Sequence, residues 1–147
     1  MTENYELNII LADDDEDDRE FMGMAAMKTG IQLVSLVGGE QLLEYLETSS
    51  ALPDGILLDI NMPRLNGIEC LKHIRQKSTW KHIPVLMYTT SDIDDYIKET
   101  YELGANMFIK KPNQLKMLSQ ITEFLVTDKD WTTQPQSMDK YLFEYKS

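Results

Sequence analysis

Residues far apart in this chain carry groups whose combined chemistry is specific. Ile9-Ile10-Leu11-Ala12 ends in Asp13-Asp14, Ile56-Leu57-Leu58 ends in Asp59, Val85-Leu86-Met87-Tyr88 ends in Thr89, and Met107-Phe108-Ile109-Lys110 ends in Lys111-Pro112. If these runs are parallel strands of one sheet, the polar residues emerge together at its carboxyl edge, where open α/β sheets bind ligands. Three carboxylates, a hydroxyl and an ammonium would then share a site, a set that suits a divalent cation and a phosphoryl group. Two bare carboxylates at ~4 Å repel by ~4 kcal/mol at an effective dielectric of ~20. Three of them need a cation or a proton between them. Hard oxygen donors favour Mg²⁺, held by one or two of the carboxylates of Asp13, Asp14 and Asp59 with a backbone carbonyl and waters. Asp59 to Gly67 reads as a tight loop with turn residues at Pro63 and Gly67. An ionised carboxylate there can attack phosphorus without a general base. Lys111 offers a point charge to phosphoryl oxygens, and Thr89 offers a hydroxyl donor. A cis Lys111-Pro112 bond, at a cost of only ~0.5–1 kcal/mol, could aim Lys111 into the site.

The elements that must position these residues follow from hydrophobic spacing. Unbroken apolar runs predict strands covered on both faces at 7–12, 32–37, 55–59, 84–88 and 106–109. Rows at helical spacing lie between them: Phe21, Met24, Ala25 and Lys28, then Leu42, Leu43 and Leu46, then Ile68, Leu71 and Ile74, then Ile93, Ile97 and Tyr101. Leu115, Leu118, Ile121 and Leu125 complete the series. Gly30, Pro53-Asp54, Pro84 and Gly104 punctuate the pattern, and Asn113 reads as an N-cap for the fifth helix. Five βα units joined by right-handed crossovers make an α/β fold with a parallel sheet. Residues 1–127 form the predicted domain and 128–147 a polar and aromatic tail.

Composition narrows the class. The 147 residues fit one domain, and the net charge of −11 argues against nucleic acid as a partner, because phosphate backbones need basic patches. A single cysteine, Cys70, excludes an intramolecular disulfide and fits a reducing, cytoplasmic compartment. No apolar run approaches the ~18 residues of a membrane span. Asp13 to Asp18 are all acidic. For Glu16, Asp17 and Asp18 the expected role is a solvated helix start, where carboxylates favour the positive end of the dipole.

Taken together, Leu11-Ala12-Asp13-Asp14-Asp15, Leu58-Asp59-Ile60-Asn61-Met62-Pro63 with Gly67, Met87-Tyr88-Thr89-Thr90 and Lys110-Lys111-Pro112 resemble the receiver domain of bacterial two-component response regulators, of the stand-alone chemotaxis-regulator type. The resemblance covers residues 7–126. It implies a doubly wound, flavodoxin-like (βα)₅ sheet with strand order 2-1-3-4-5. By position, Asp59 matches the phosphoacceptor, Asp13 and Asp14 the acidic Mg²⁺ pair, and Asn61 a backbone carbonyl ligand. Thr89 matches the switch hydroxyl and Lys111 the lysine of that family, in which the following peptide bond is typically cis. Phe108 falls at the switch aromatic, commonly Tyr, and equally fits an edge-strand core residue. Ile60 stands where some members carry Trp, while Trp80 and Trp131 lie elsewhere.

The resemblance implies phosphoryl transfer from the phosphohistidine of a histidine kinase or histidine phosphotransfer protein to Asp59. It also implies a changed α4–β5–α5 face that an unidentified downstream protein reads. Such a chain catalyses only its own phosphorylation and dephosphorylation. An aspartyl-phosphate phosphatase needs a second carboxylate two residues after the nucleophile, where Asn61 stands, and a flavodoxin-like FMN protein needs a hydroxyl- and glycine-rich loop after the first strand. In the tail, Tyr141, Leu142, Phe143 and Tyr145 could form one helical face. With Trp131, they could pack on their own domain, make a homodimer contact, dock a kinase or be disordered.

Overall fold

The computed structural model describes residues 6–147. Five strands, β1 (Asn8–Ala12), β2 (Gln32–Leu36), β3 (Gly55–Leu58), β4 (Val85–Thr89) and β5 (Met107–Lys110), form one parallel sheet in the order β2-β1-β3-β4-β5. They alternate with α1 (Glu16–Thr29), α2 (Gly39–Thr48), α3 (Gly67–Gln76), α4 (Asp94–Glu102) and α5 (Leu118–Thr127), and a short α6 (Met138–Tyr141) follows. Among the described residues no helix is long and apolar enough to cross a membrane.

Successive residues of a strand point to opposite faces, and both faces here are apolar. Ile10, Ala12, Ile56, Leu58, Val85, Met87 and Phe108 join Leu42 and Leu46 of α2 and Ile68, Leu71 and Ile74 of α3 in one core. Ile9, Leu11, Leu57, Leu86, Tyr88 and Ile109 join Met22 and Ala26 of α1 and Leu118, Ile121 and Leu125 of α5 in the other. This double covering explains why the strands read as unbroken apolar runs. Cys70 is buried in the first core, where desolvation pushes its thiol up to about 12, so it is an inert packing group.

Several local expectations need correction. The buried row of α1 is Met22 and Ala26, one position off the expected Phe21, Met24, Ala25 and Lys28, and Met24 is exposed. Apolar residues surround this helix almost completely, so spacing alone could not choose a stripe. In α4 only Thr100 is fully buried, and Ile93 is exposed. Asn113 does not cap a helix. A 3₁₀ turn (Leu115–Met117) precedes α5, its cap position is Gln114, and Leu115 is exposed.

The C-terminal segment is packed on the sheet and its helices. Trp131 lies against Gly55, where an added Cβ would come within 2.8 Å of the indole, and its Nε1 donates to Leu125 O at 3.2 Å. Tyr141 is fully buried and its hydroxyl donates to Thr100 Oγ1 at 2.6 Å. The expected single helical face over Tyr141 to Tyr145 is absent, because α6 stops at Tyr141. Leu142 instead bridges Phe108 in parallel fashion, and Phe143 N donates to Phe108 O at 2.9 Å. The outer edge of β5 offers unpaired backbone groups, and extended chain satisfies them where helix could not. Phe143 packs edge-on to Phe124 at 5.2 Å and to Tyr145 at 5.0 Å. Replacing Trp131 by Ala should therefore cost about 3–5 kcal/mol, as for a core aromatic. Urea denaturation checks this, and a loss under about 0.5 kcal/mol, typical of surface changes, would contradict the packing described.

Candidate functional site

The carboxyl ends of β1, β3, β4 and β5 meet at one rim. Asp13 follows β1 and donates its backbone N–H to Leu36 O at 3.0 Å. Asp59 follows β3 and donates to Ala12 O at 3.0 Å, and Lys111 follows β5 and donates to Thr89 O at 2.8 Å. The ladder hydrogen bonds thus run one residue past the strands and fix the backbones of three site residues directly. Asp59 is further held from below. A Cβ at Gly67 would lie 2.1 Å from Asp59 O, so only glycine lets the start of α3 approach the loop this closely. Asn66 caps that helix with a reciprocal box to Glu69.

Asp13 and Asp59 are buried and Asp14 is exposed, and oxygens from all three lie within 4.8 Å of one another. The Lys111 ammonium sits among carboxylates, 2.7 Å from Asp18 Oδ2, 2.8 Å from Asp13 Oδ2 and 2.9 Å from Asp59 Oδ2. Burial pulls this ammonium down, but the three carboxylates more than offset it, and its pKa stands above the ordinary lysine value. Burial pushes the Asp13 carboxyl up to about 6, against the opposing pull of Lys111 and of the Asp15 N–H, which Asp13 Oδ1 accepts at 2.9 Å. The Lys111-Pro112 bond is trans, as are all peptide bonds among the described residues, so Lys111 reaches the carboxylates without the expected cis geometry.

Asp18 was expected to be only a solvated helix residue, and the structure places it on Lys111 instead. Nothing in the sequence set it apart from Glu16 and Asp17, which share the first turn of α1. Arg19 reinforces the same corner, its Nη1 donating to Asp13 O at 2.8 Å. Thr89 is buried and its hydroxyl oxygen accepts from Ser91 N at 3.3 Å. The Asn61 side-chain amide donates to Ser91 Oγ, linking the loops after β3 and β4. Phe108 does not share the rim. It is buried in the core with its ring 6.1 Å from that of Tyr141, edge to face. Tyr88, not singled out by the sequence, lies beneath the site with Lys111 Nζ 5.5 Å from its ring centre.

Can these residues hold a cation? Among the described residues, Asp13 Oδ2 is buried with the Lys111 ammonium, 2.8 Å away, as its one polar partner. A buried, underused carboxylate oxygen beside two more carboxylates fits a hard divalent ion. Binding would displace the proton that burial favours on Asp13. Cation affinity is therefore expected to fall about tenfold per pH unit below about 6, one proton leaving for each cation bound. Isothermal titration with MgCl₂ on either side of that pH checks this, and equal affinities would contradict the raised Asp13 pKa.

Comparison with known proteins gives a consistent result. The family model for the response regulator receiver domain matches residues 9–123. The response regulator Rcp1 of Synechocystis sp. is 32% identical over 123 residues, covering 78% of this chain and 83% of its own length. The phosphorylated cyanobacterial phytochrome response regulator RcpA is similar in structure, with a TM-score of 0.78 at 30% identity over 85% of this chain and 97% of that one. The Mn²⁺-bound form of Rcp1 gives 0.76 at 30% identity, over 88% and 99%. Other relatives are much longer: the chain matches 14% of the length of the 3′,5′-cyclic-nucleotide phosphodiesterase regA of Dictyostelium discoideum.

Proposed function

The chain belongs to the response regulator receiver domain family, and from that premise we propose that it is a phosphorylation switch with Asp59 as phosphoacceptor. The observation that carries this reading is the buried Asp59 carboxylate, 2.9 Å from the Lys111 ammonium at the rim of the sheet. In the proposed reaction the donor is the phosphohistidine of a histidine kinase or phosphotransfer protein. An Asp59 oxygen attacks phosphorus in line as the P–N bond breaks, and the electron pair of that bond leaves on the imidazole nitrogen. The ionised carboxylate needs no general base. Asp13, Asp14 and Asp59, with the Asn61 carbonyl, would hold Mg²⁺, which when bound supplies neutralisation of charge on the phosphoryl oxygens.

The chain's own residues do the rest. Lys111 exchanges a carboxylate partner for a phosphoryl oxygen, and Thr89 turns its hydroxyl towards another. These contacts exist only in the phosphorylated state, so the phosphoryl group shifts the population towards it. The displacement of Thr89 alters the packing of Phe108, two residues before the Lys110 that pairs with Thr89. Phe108 touches Tyr141, so the surface offered to a downstream protein by α4, β5 and α5 includes the C-terminal segment. Phosphatase turnover is not favoured, because the residue two beyond Asp59 is Asn61, whose amide is directed at Ser91. The reading places the protein in the cytoplasm, where histidine kinases present their phosphoryl groups.

Acetyl phosphate with MgCl₂ should add one phosphoryl group to the wild type by intact mass and none to Asp59→Asn. Stoichiometric labelling of that variant at another residue would overturn the assignment.

A further inference from the structure

Lys111 has three N–H donors, and the three carboxylates around it are not equivalent. Asp13 and Asp59 belong with Asp14 to the cluster whose oxygens converge within 4.8 Å, and Asp18 does not. On the proposed function, a cation claims Asp13 and a phosphoryl group claims Asp59. Both anchors of the ammonium are then committed elsewhere at the moment Lys111 has to act. Asp18 keeps the shortest contact of the three, 2.7 Å, and has no second cationic partner among the described residues.

Its placement is built by the backbone. Asp15 caps α1 and accepts the Asp18 N–H at 3.0 Å, while Arg19 ties the next residue of the helix to Asp13 O at 2.8 Å. The start of α1 is therefore clamped to the end of β1, and the Asp18 carboxylate is carried on a fixed support. A lysine side chain, by contrast, is a flexible stem that needs an anchor to keep its charge in one place.

We infer that Asp18 is a positioning residue for phosphoryl transfer, holding the Lys111 ammonium at the rim while Asp13 and Asp59 serve the cation and the phosphoryl group. The inference rests on the proposed function. The competing account is that Asp18 only complements the α1 dipole, as any acid in that turn would. Asp17 separates the two, because it lies in the same turn with the same charge, is exposed, and does not touch Lys111.

The test compares Asp18→Asn with Asp17→Asn in the full chain, with two readouts. The first is the phosphorylation rate at saturating acetyl phosphate with MgCl₂. Asp18→Asn should lower it about tenfold, the scale of one charge-assisted hydrogen bond, while Asp17→Asn stays within about twofold of the wild type. The second is hydrogen exchange of the Lys111 ammonium, followed by ¹⁵N NMR with MgCl₂ and no phosphodonor. Exchange should be slow in the wild type and Asp17→Asn and markedly faster in Asp18→Asn. Asp18→Asn matching Asp17→Asn in both readouts overturns the inference. A wild type that accepts no phosphoryl group overturns the proposed function instead, and the exchange comparison alone then decides whether Asp18 holds the ammonium.

Discussion

One ammonium shared among buried acids organises this protein. Asp13 and Asp59 leave neighbouring strands at the same level of the sheet, and without a counter-charge their oxygens would repel strongly in a medium of reduced dielectric. Lys111 supplies that charge from β5, across the intervening β4. Removing one partner from such an arrangement leaves the others as uncompensated buried charge, which is far more costly than an exposed ion pair is worth. The cluster is therefore a structural tie between strands and a concentration of negative charge at the rim. Any ligand that neutralises Asp13 and Asp59 competes with Lys111 for them, and the contact left to the lysine is the one with Asp18.

The fold makes this meeting inevitable. Parallel strands linked by right-handed crossovers all end at one rim, and the polar residue after each strand is placed there by the ladder itself. Asp59 and Lys111 continue the hydrogen bonding of the strands that precede them, so their backbones have little freedom. Precision at the site is thus inherited from the stiffest part of the molecule, while Asp14, Asn61 and Ser91 sit on loops where chemistry can be adjusted without disturbing the sheet.

Much of this was legible in the sequence because burial on both faces leaves an unmistakable mark. The five strands, their order through the family resemblance, and the convergence of Asp13, Asp14, Asp59 and Lys111 all follow from runs such as Ile56-Leu57-Leu58 that break at a charge. What stayed hidden depended on side-chain direction or on competition between equal choices. The phase of α1 was ambiguous because Met22, Met24, Ala26 and Met27 are spread around the helix. Asp18 was indistinguishable from its acidic neighbours until α1 was set against β5. The C-terminal segment carried a plausible helical spacing, but the open edge of β5 offered its backbone a better partner at Phe108.

The tryptophans carry a practical consequence. Trp131 lies over Gly55, the first residue of β3, and Trp80 lies in the loop that leads into β4, with Lys77 Nζ 4.0 Å from its ring centre. Both indoles are at the amino ends of strands, a full strand length from the acids, and Ile60 beside Asp59 is not a fluorophore. Neither indole is placed for direct quenching at the rim, and both report whether the hydrophobic layers are assembled. Fluorescence in this chain is therefore a gauge of unfolding, and direct optical detection of ions at the acids calls for a dye or an indole engineered beside them.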